Sequence, residues 1–208
     1  MYHSQQQEDY ILFQKYLNYR DGTFVELGAM DGNTYSNTLF FENELNWSGV
    51  LIEPTDQFEQ LKNNRKNCKN YNFAVSIIEG EVEFLGNGAL GGMTHTMNSS
   101  HRLGWNLDQT YIPNIVKSIP ISKILTEAKI KKIDLFSIDT EGGEIEVLNS
   151  FDWEIPVYII LIELTDDPND EVLTNKNQQC RELMTKHGFI FDMTIGCNEV
   201  WINKTFNS

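Results

Sequence analysis

Two carboxylates, Glu26 and Asp31, bracket the turn at Gly28, with Gly32 directly after, in the stretch TFVELGAMDG at 23–32. Residues 24–27 read as an apolar strand, and a glycine turn at its end lets backbone groups approach a ligand closely. A pyrophosphate placed there would face two like charges, whereas a ligand carrying an amine and a sulfonium would be attracted. The charges therefore point away from a dinucleotide and towards S-adenosylmethionine. Further acids stand at the ends of other apolar runs: Glu53 in WSGVLIEP at 47–54, Asp139 and Glu141 in IDTEGGE at 138–144, and Glu163 after VYIILI at 157–162.

Such groups converge only if the strands that carry them end side by side. Helical spacing of Tyr10, Phe13 and Leu17 predicts an amphipathic helix before the first strand. Residues 36–45 read as a helix, 47–54 as a turn and a second buried strand stopped by Pro54, and 56–66 as a helix opened by Asp56 and Glu59. Residues 72–76, 81–85, 133–139 and 157–163 read as further strands, with short helices at 144–149 and 180–187. Gly188 stops the last helix, and 189–193 with 199–202 form a hairpin. This alternation predicts an α/β fold with a doubly wound, mostly parallel sheet and one added antiparallel strand. Residues 86–118 break it, with Gly86, Gly88, Gly91 and Gly92 followed by His95, His101, Trp105 and Tyr111. A connection of that length reads as a lid or acceptor-binding insertion, or as a mobile loop without a specific role.

At 208 residues the whole of 1–208 is expected to form one domain. A formal charge of −14 opposes binding to nucleic acid, whose affinity draws on Lys and Arg, and makes a neutral or cationic acceptor the easier partner. Cys68, Cys180 and Cys197 are widely spaced and odd in number, which indicates neither a disulfide framework nor a zinc site. The first residues lack the apolar core of a signal peptide, and the longest apolar run, 157–162, is too short to cross a bilayer. A cytoplasmic protein without a membrane segment is expected, and nothing in the sequence specifies its oligomeric state.

The motifs FVELGAMDG at 24–32, YSNT at 35–38 with FFE at 40–42, WSGVLIEP at 47–54, NFAVS at 72–76 and IDTEGGE at 138–144 resemble those of the FkbM-type S-adenosylmethionine-dependent methyltransferases. The resemblance spans about residues 23–165 and leaves the insertion outside its strong motifs. It implies a class I methyltransferase fold, a Rossmann-like seven-stranded sheet ending in a β-hairpin. It also implies O-methylation of an acceptor hydroxyl, since many members act on sugars or glycosylated natural products.

For the donor, Gly28 and Gly32 supply the turns, Ala29 lies between them, and Glu26 and Asp31 receive the amino group directly or through water. Asp31 is alternatively a helix N-terminal residue favouring the dipole. Ser36 and Asn37 offer polar contacts to the methionine carboxylate, or are first-turn caps. Glu53 accepts from the ribose hydroxyls, a role shared with NAD-binding folds. Ala74 leaves room for the adenine, which the resembling family places there, or is simply core.

For the chemistry, an acceptor oxygen must be held in line with the sulfonium methyl while a base removes its proton. Glu141 is the preferred base and Asp139 the positioning or metal-binding group; exchanged roles, or a helix cap at Asp139 or Thr140, fit the sequence as well. His95 is a competing base from the insertion. Asp139 and Glu163 would end on neighbouring strands about 4.8 Å apart, an arrangement of hard oxygen ligands suited to a divalent cation such as Mg²⁺. Trp105 and Tyr111 either stack on a sugar ring or anchor the insertion. The expected activity is S-adenosylmethionine-dependent O-methylation of a small-molecule or glycan acceptor, most plausibly a sugar. An NAD-dependent oxidoreductase would call for GxGxxG where the chain has GAMDG, and a non-catalytic interaction module would leave the donor site unused.

Overall fold

The computed structural model describes residues 1–206. Along the chain, α1 (Glu8–Lys15) precedes β1 (Thr23–Leu27), α2 (Leu39–Leu45), β2 (Ser48–Ile52), α3 (Phe58–Asn64) and β3 (Lys69–Tyr71). Next come β4 (Ala74–Val75), β5 (Gly80–Leu85), β6 (Gly92–Met93), α4 (Ser99–Gly104), α5 (Leu107–Thr110) and β7 (Asn114–Ile119). The remainder is α6 (Ile121–Ala128), β8 (Ile133–Ile138), α7 (Glu144–Ser150), β9 (Val157–Glu163), α8 (Glu171–Lys186), β10 (Phe189–Ile195) and β11 (Asn198–Asn203). No described helix is long and apolar enough to cross a membrane.

The main sheet has seven strands in the order β10-β11-β9-β8-β1-β2-β3. β3, β2, β1, β8 and β9 run parallel, and β11 pairs antiparallel with both β9 and β10. The doubly wound sheet with its terminal hairpin is as expected. Alternate residues of each central strand feed opposite faces. Val25, Val50, Phe136 and Ile160 pack with Ile124, Leu148 and Met184 from α6, α7 and α8. Phe24, Leu51, Leu135 and Ile159 pack with Leu12, Phe41 and Leu61 from α1, α2 and α3. Burial on both faces explains why these strands are nearly continuous apolar runs.

Several elements differ from the sequence reading. The strand expected at 72–76 is broken: β3 joins the main sheet, whereas β4 joins a second sheet in the order β4-β7-β5-β6. Between them Asn72 donates from Nδ2 to the carbonyls of Glu53 and Thr55, at 2.9 and 3.4 Å, which turns the chain away from β2. Residues 86–118 are not a bare loop but carry β6, α4, α5 and β7, and β7 pairs antiparallel with β5. α6 was missed altogether, although Ile121, Ile124, Leu125 and Ala128 recur at helical spacing and are buried. α8 begins at Glu171 rather than 180, because Asp170 caps it by accepting from the Leu173 amide at 2.9 Å. α2 starts at Leu39 rather than 36, since the preceding side chains serve β1 instead.

Candidate active site

The C-terminal ends of β1, β2 and β8 open onto a cleft lined by both polar and apolar side chains. At its floor Gly28 has φ +74, and a Cβ there would lie 2.1 Å from the carbonyl oxygen of Asp139. Only glycine permits that crossing of the β1 turn and the β8 end. The amides of Gly28 and Ala29 donate to the carbonyl of Ile52 at 3.1 Å each, fixing the turn to β2.

Glu53 follows β2 with both oxygens partly engaged: Oε2 accepts from the Met30 amide at 2.9 Å, and Oε1 from the Thr55 amide and hydroxyl at 2.8 and 2.5 Å. Burial nevertheless raises its pKa against those bonds. Glu53 lines the cleft, as do Glu26, Gly28, Asn37, Ala74, Asp139 and Glu141. Phe73, Val75, Phe84 and Met93 supply apolar wall beside Ala74.

The other residues expected at the donor site stand behind the cleft wall. Ala29, Asp31, Gly32 and Ser36 are not among the lining residues. Asp31 uses Oδ1 to accept from the amides of Asn33 and Thr34, at 2.8 and 2.7 Å, and Oδ2 to accept from the Thr34 hydroxyl at 2.9 Å. These bonds hold its carboxyl below the usual range despite partial burial, so it braces the turn. Ala29 is buried in the core. Ser36 donates to Glu26 at 2.9 Å, and Glu26 also accepts from the Asn37 amide at 2.7 Å and the Thr38 hydroxyl at 2.5 Å. Arg65, fully buried at the end of α3, closes this network on Gly32 O at 2.9 Å, Ser36 Oγ at 3.0 Å, Thr38 Oγ1 at 2.9 Å and the Glu42 carboxylate. Gly32 thus shapes the turn from within the protein, and Glu26 does so while also bordering the cleft. On a cleft-lining residue one buried acceptor stays open: Asn37 donates from Nδ2 to Ser137 Oγ at 3.0 Å, while its Oδ1 is without a partner among the described residues. A ligand ammonium would satisfy it.

Beyond β8, one carboxylate oxygen from each of Asp139, Glu141 and Glu163 gathers within 4.8 Å of the others. Burial and the charge of Glu163 push Asp139 well above the ordinary carboxylate range. Burial, with Asp139 and Glu144 nearby, raises Glu141 to about 9, and burial with Glu141 and Glu144 raises Glu163 to about 7. Glu141 sits at φ +51, an uncommon backbone region for a side-chain-bearing residue. Glu144 holds that loop: its Oε1 accepts from the Thr140 amide and hydroxyl at 3.2 and 2.9 Å and from the Gly142 amide at 3.0 Å. Strain concentrated where neighbouring bonds enforce it is common at functional sites.

His95 lies elsewhere. Its Nε2 is 2.9 Å from Glu146 Oε1 on α7, and Glu146 Oε2 in turn accepts from Ser76 at 2.5 Å, an arrangement outside both the donor cleft and the acid cluster. His101, six residues on, approaches instead, with Nδ1 3.4 Å from Glu141 Oε2. Tyr111 packs beside Leu85, Met97 and Leu107 and anchors the insertion, whereas Trp105 is exposed. Arg65, Glu144 and His101 went unrecognised in the sequence; Glu144 alone had a local signal, three residues after Glu141 at a helix start.

The residues fit S-adenosylmethionine: an open acceptor at Asn37, a strand-end acid at Glu53, apolar walls, and no cation among the lining residues to favour a pyrophosphate. Among solved structures, Aeropyrum pernix fibrillarin in complex with natively bound S-adenosyl-L-methionine is similar at TM-score 0.50 and 12% identity, covering 97% of this chain and 74% of that one. Methanococcus jannaschii fibrillarin pre-rRNA processing protein gives TM-score 0.47 at 14% identity, with 89% and 68% covered. The precorrin-6y C5,15-methyltransferase of Geobacter metallireducens GS-15 gives 0.48 at 12%, with 93% and 85% covered. A search of curated proteins found no significant match. The model of the methyltransferase FkbM domain matches residues 26–191, a span that runs from Glu26 through the glycine turn, Glu53 and the acid cluster to β10. With its class I arrangement of strands, the chain belongs to the FkbM methyltransferase domain family.

Proposed function

We propose that this methyltransferase carries the S-methyl group of S-adenosylmethionine to a hydroxyl oxygen of a sugar or glycan. The observation that supports it best is the gathering of three carboxylates at and beyond the strand ends, two of which, Asp139 and Glu141, line the donor cleft. When bound, the donor supplies an electrophilic methyl carbon on a positively charged sulfur. Asn37 and Glu53 hold its polar ends, and the Gly28 turn admits it close to Asp139. Glu141 accepts the acceptor's hydroxyl proton as the new C–O bond forms and the S–C bond breaks. A positive charge beside Glu141 lowers its raised pKa and readies the carboxylate for that role. An excess of 30 acidic over 16 basic residues opposes a polyanionic acceptor.

The same three carboxylates are hard oxygen ligands of the type that holds Mg²⁺ or Ca²⁺, and a cation there would relieve their mutual repulsion. Transfer of labelled methyl from S-adenosylmethionine to a library of sugars, with and without a chelator, tests both statements. Product lacking label on oxygen refutes O-methylation, and rates indifferent to chelator and added Mg²⁺ refute the cation.

A further inference from the structure

The acid cluster has two sides. Asp139 lines the donor cleft, Glu163 lines a second cleft, and Glu141 lines both. The second cleft draws Ser100 and His101 from α4, Thr165 and Asp167 from the loop after β9, and Lys176 from α8. Its walls are fixed to one another. Ser100 Oγ donates to Asp170 Oδ2 at 3.1 Å, joining α4 to the cap of α8. Lys176 Nζ donates to the carbonyls of Gly142 and Thr96, at 2.8 and 3.4 Å, joining α8 to the Glu141 loop and the insertion.

We propose that this second cleft is the acceptor site, and that it takes a polyhydroxy acceptor that is uncharged or amine-bearing and rejects one carrying a carboxylate or phosphate. The assignment rests on the methyl-transfer reading above. A hydroxyl entering from this side meets a methyl group from the other at Glu141. Four carboxyl groups, Glu141, Glu144, Glu163 and Asp167, share the lining with one ammonium, Lys176, which already serves two carbonyls. Glu144 and Asp167 alone outnumber Lys176, so an anionic acceptor meets net repulsion even with Glu141 and Glu163 protonated, whereas hydroxyls and amines find acceptors in the carboxyl groups and in Ser100 and Thr165.

The test uses the full chain, labelled with ¹⁵N and loaded with S-adenosylhomocysteine, whose binding is measured first by calorimetry. Methyl glucosaminide and methyl glucoside are expected to shift the amide resonances of Ser100, His101, Asp167 and Lys176, and methyl glucuronide to leave them in place. Asp167→Lys should keep the S-adenosylhomocysteine affinity within about twofold, weaken the glucosaminide by about tenfold or more and admit the glucuronide. Thr165→Lys, at an exposed position of the same wall, should act in the same direction without touching the Asp167 loop bonds. Bound S-adenosylhomocysteine with no sugar-induced shifts at these residues, or a glucuronide that binds as well as the glucosaminide, overturns the acceptor assignment alone. Failure to bind S-adenosylhomocysteine overturns the donor reading beneath it.

Discussion

At the scale of single residues, Glu141 joins an uncommon backbone angle to a raised pKa and a place on two clefts. Glu141→Gln should lower transfer by about 10²- to 10⁴-fold, the usual range for losing a general base, with S-adenosylhomocysteine affinity nearly intact; wild-type turnover would remove Glu141 from the chemistry. The acid cluster also marks stability. Glu163 and Glu141 keep protons in the folded state that the unfolded chain releases above the ordinary value of 4.5, until pH passes about 7 and about 9 respectively. Over that window the folded state binds more protons, so stability falls as pH rises. Urea midpoints of the ligand-free protein from pH 5 to 9 should show this decline, and Glu163→Gln should flatten its lower half. The position of the acids was legible because each ends an apolar strand. The fate of Glu26 was not, since its buried partner Arg65 lies 39 positions away and no local spacing announces it. Of the two histidines in the insertion the sequence reading favours His95, and the packing of α4 brings His101 beside Glu141 instead.

Among elements, α3 matters less for its own length than for delivering Arg65 beneath the β1 turn. Arg65→Met leaves Glu42 and the Glu26 network without their cation, and should cost about 3–5 kcal/mol in urea unfolding, as expected when one partner of a buried pair is removed. A loss below 1 kcal/mol would show that water fills the gap. On the other face, Ile124→Ala in α6 should cost about 2–5 kcal/mol through the cavity it leaves. The strands of the main sheet were readable from their apolar runs, and α6 was readable but overlooked. β4 and β7 were not, because strand pairing in the second sheet is decided by the turn at Asn72 and not by composition.

For the whole molecule, the insertion closes the second sheet through β7 and is tied to the helices of the main sheet by Lys176 of α8 on the Thr96 carbonyl and by His95 on Glu146 of α7. The chain should accordingly unfold as one unit, with tryptophan fluorescence and far-ultraviolet circular dichroism giving coincident transitions. S-adenosylhomocysteine at about 100 times its dissociation constant should stabilise it by about 2.7 kcal/mol, a rise in Tm of roughly 5–10 °C. NAD at equal concentration should leave Tm unchanged; a shift with NAD alone would contradict the donor assignment.

The wall of the donor cleft also includes Gln5 and Glu8, from the segment that leads into α1. Glu8 accepts from Asn198 Nδ2 at 2.8 Å, and Ser4 bridges to Tyr35 in the turn after β1. Because this segment closes one wall of the cleft, its opening and closing would gate the exchange of spent donor for fresh. Hydrogen–deuterium exchange at residues 4–9 should slow when S-adenosylhomocysteine is bound, and a disulfide-locked segment should slow release of the product more than the chemical step.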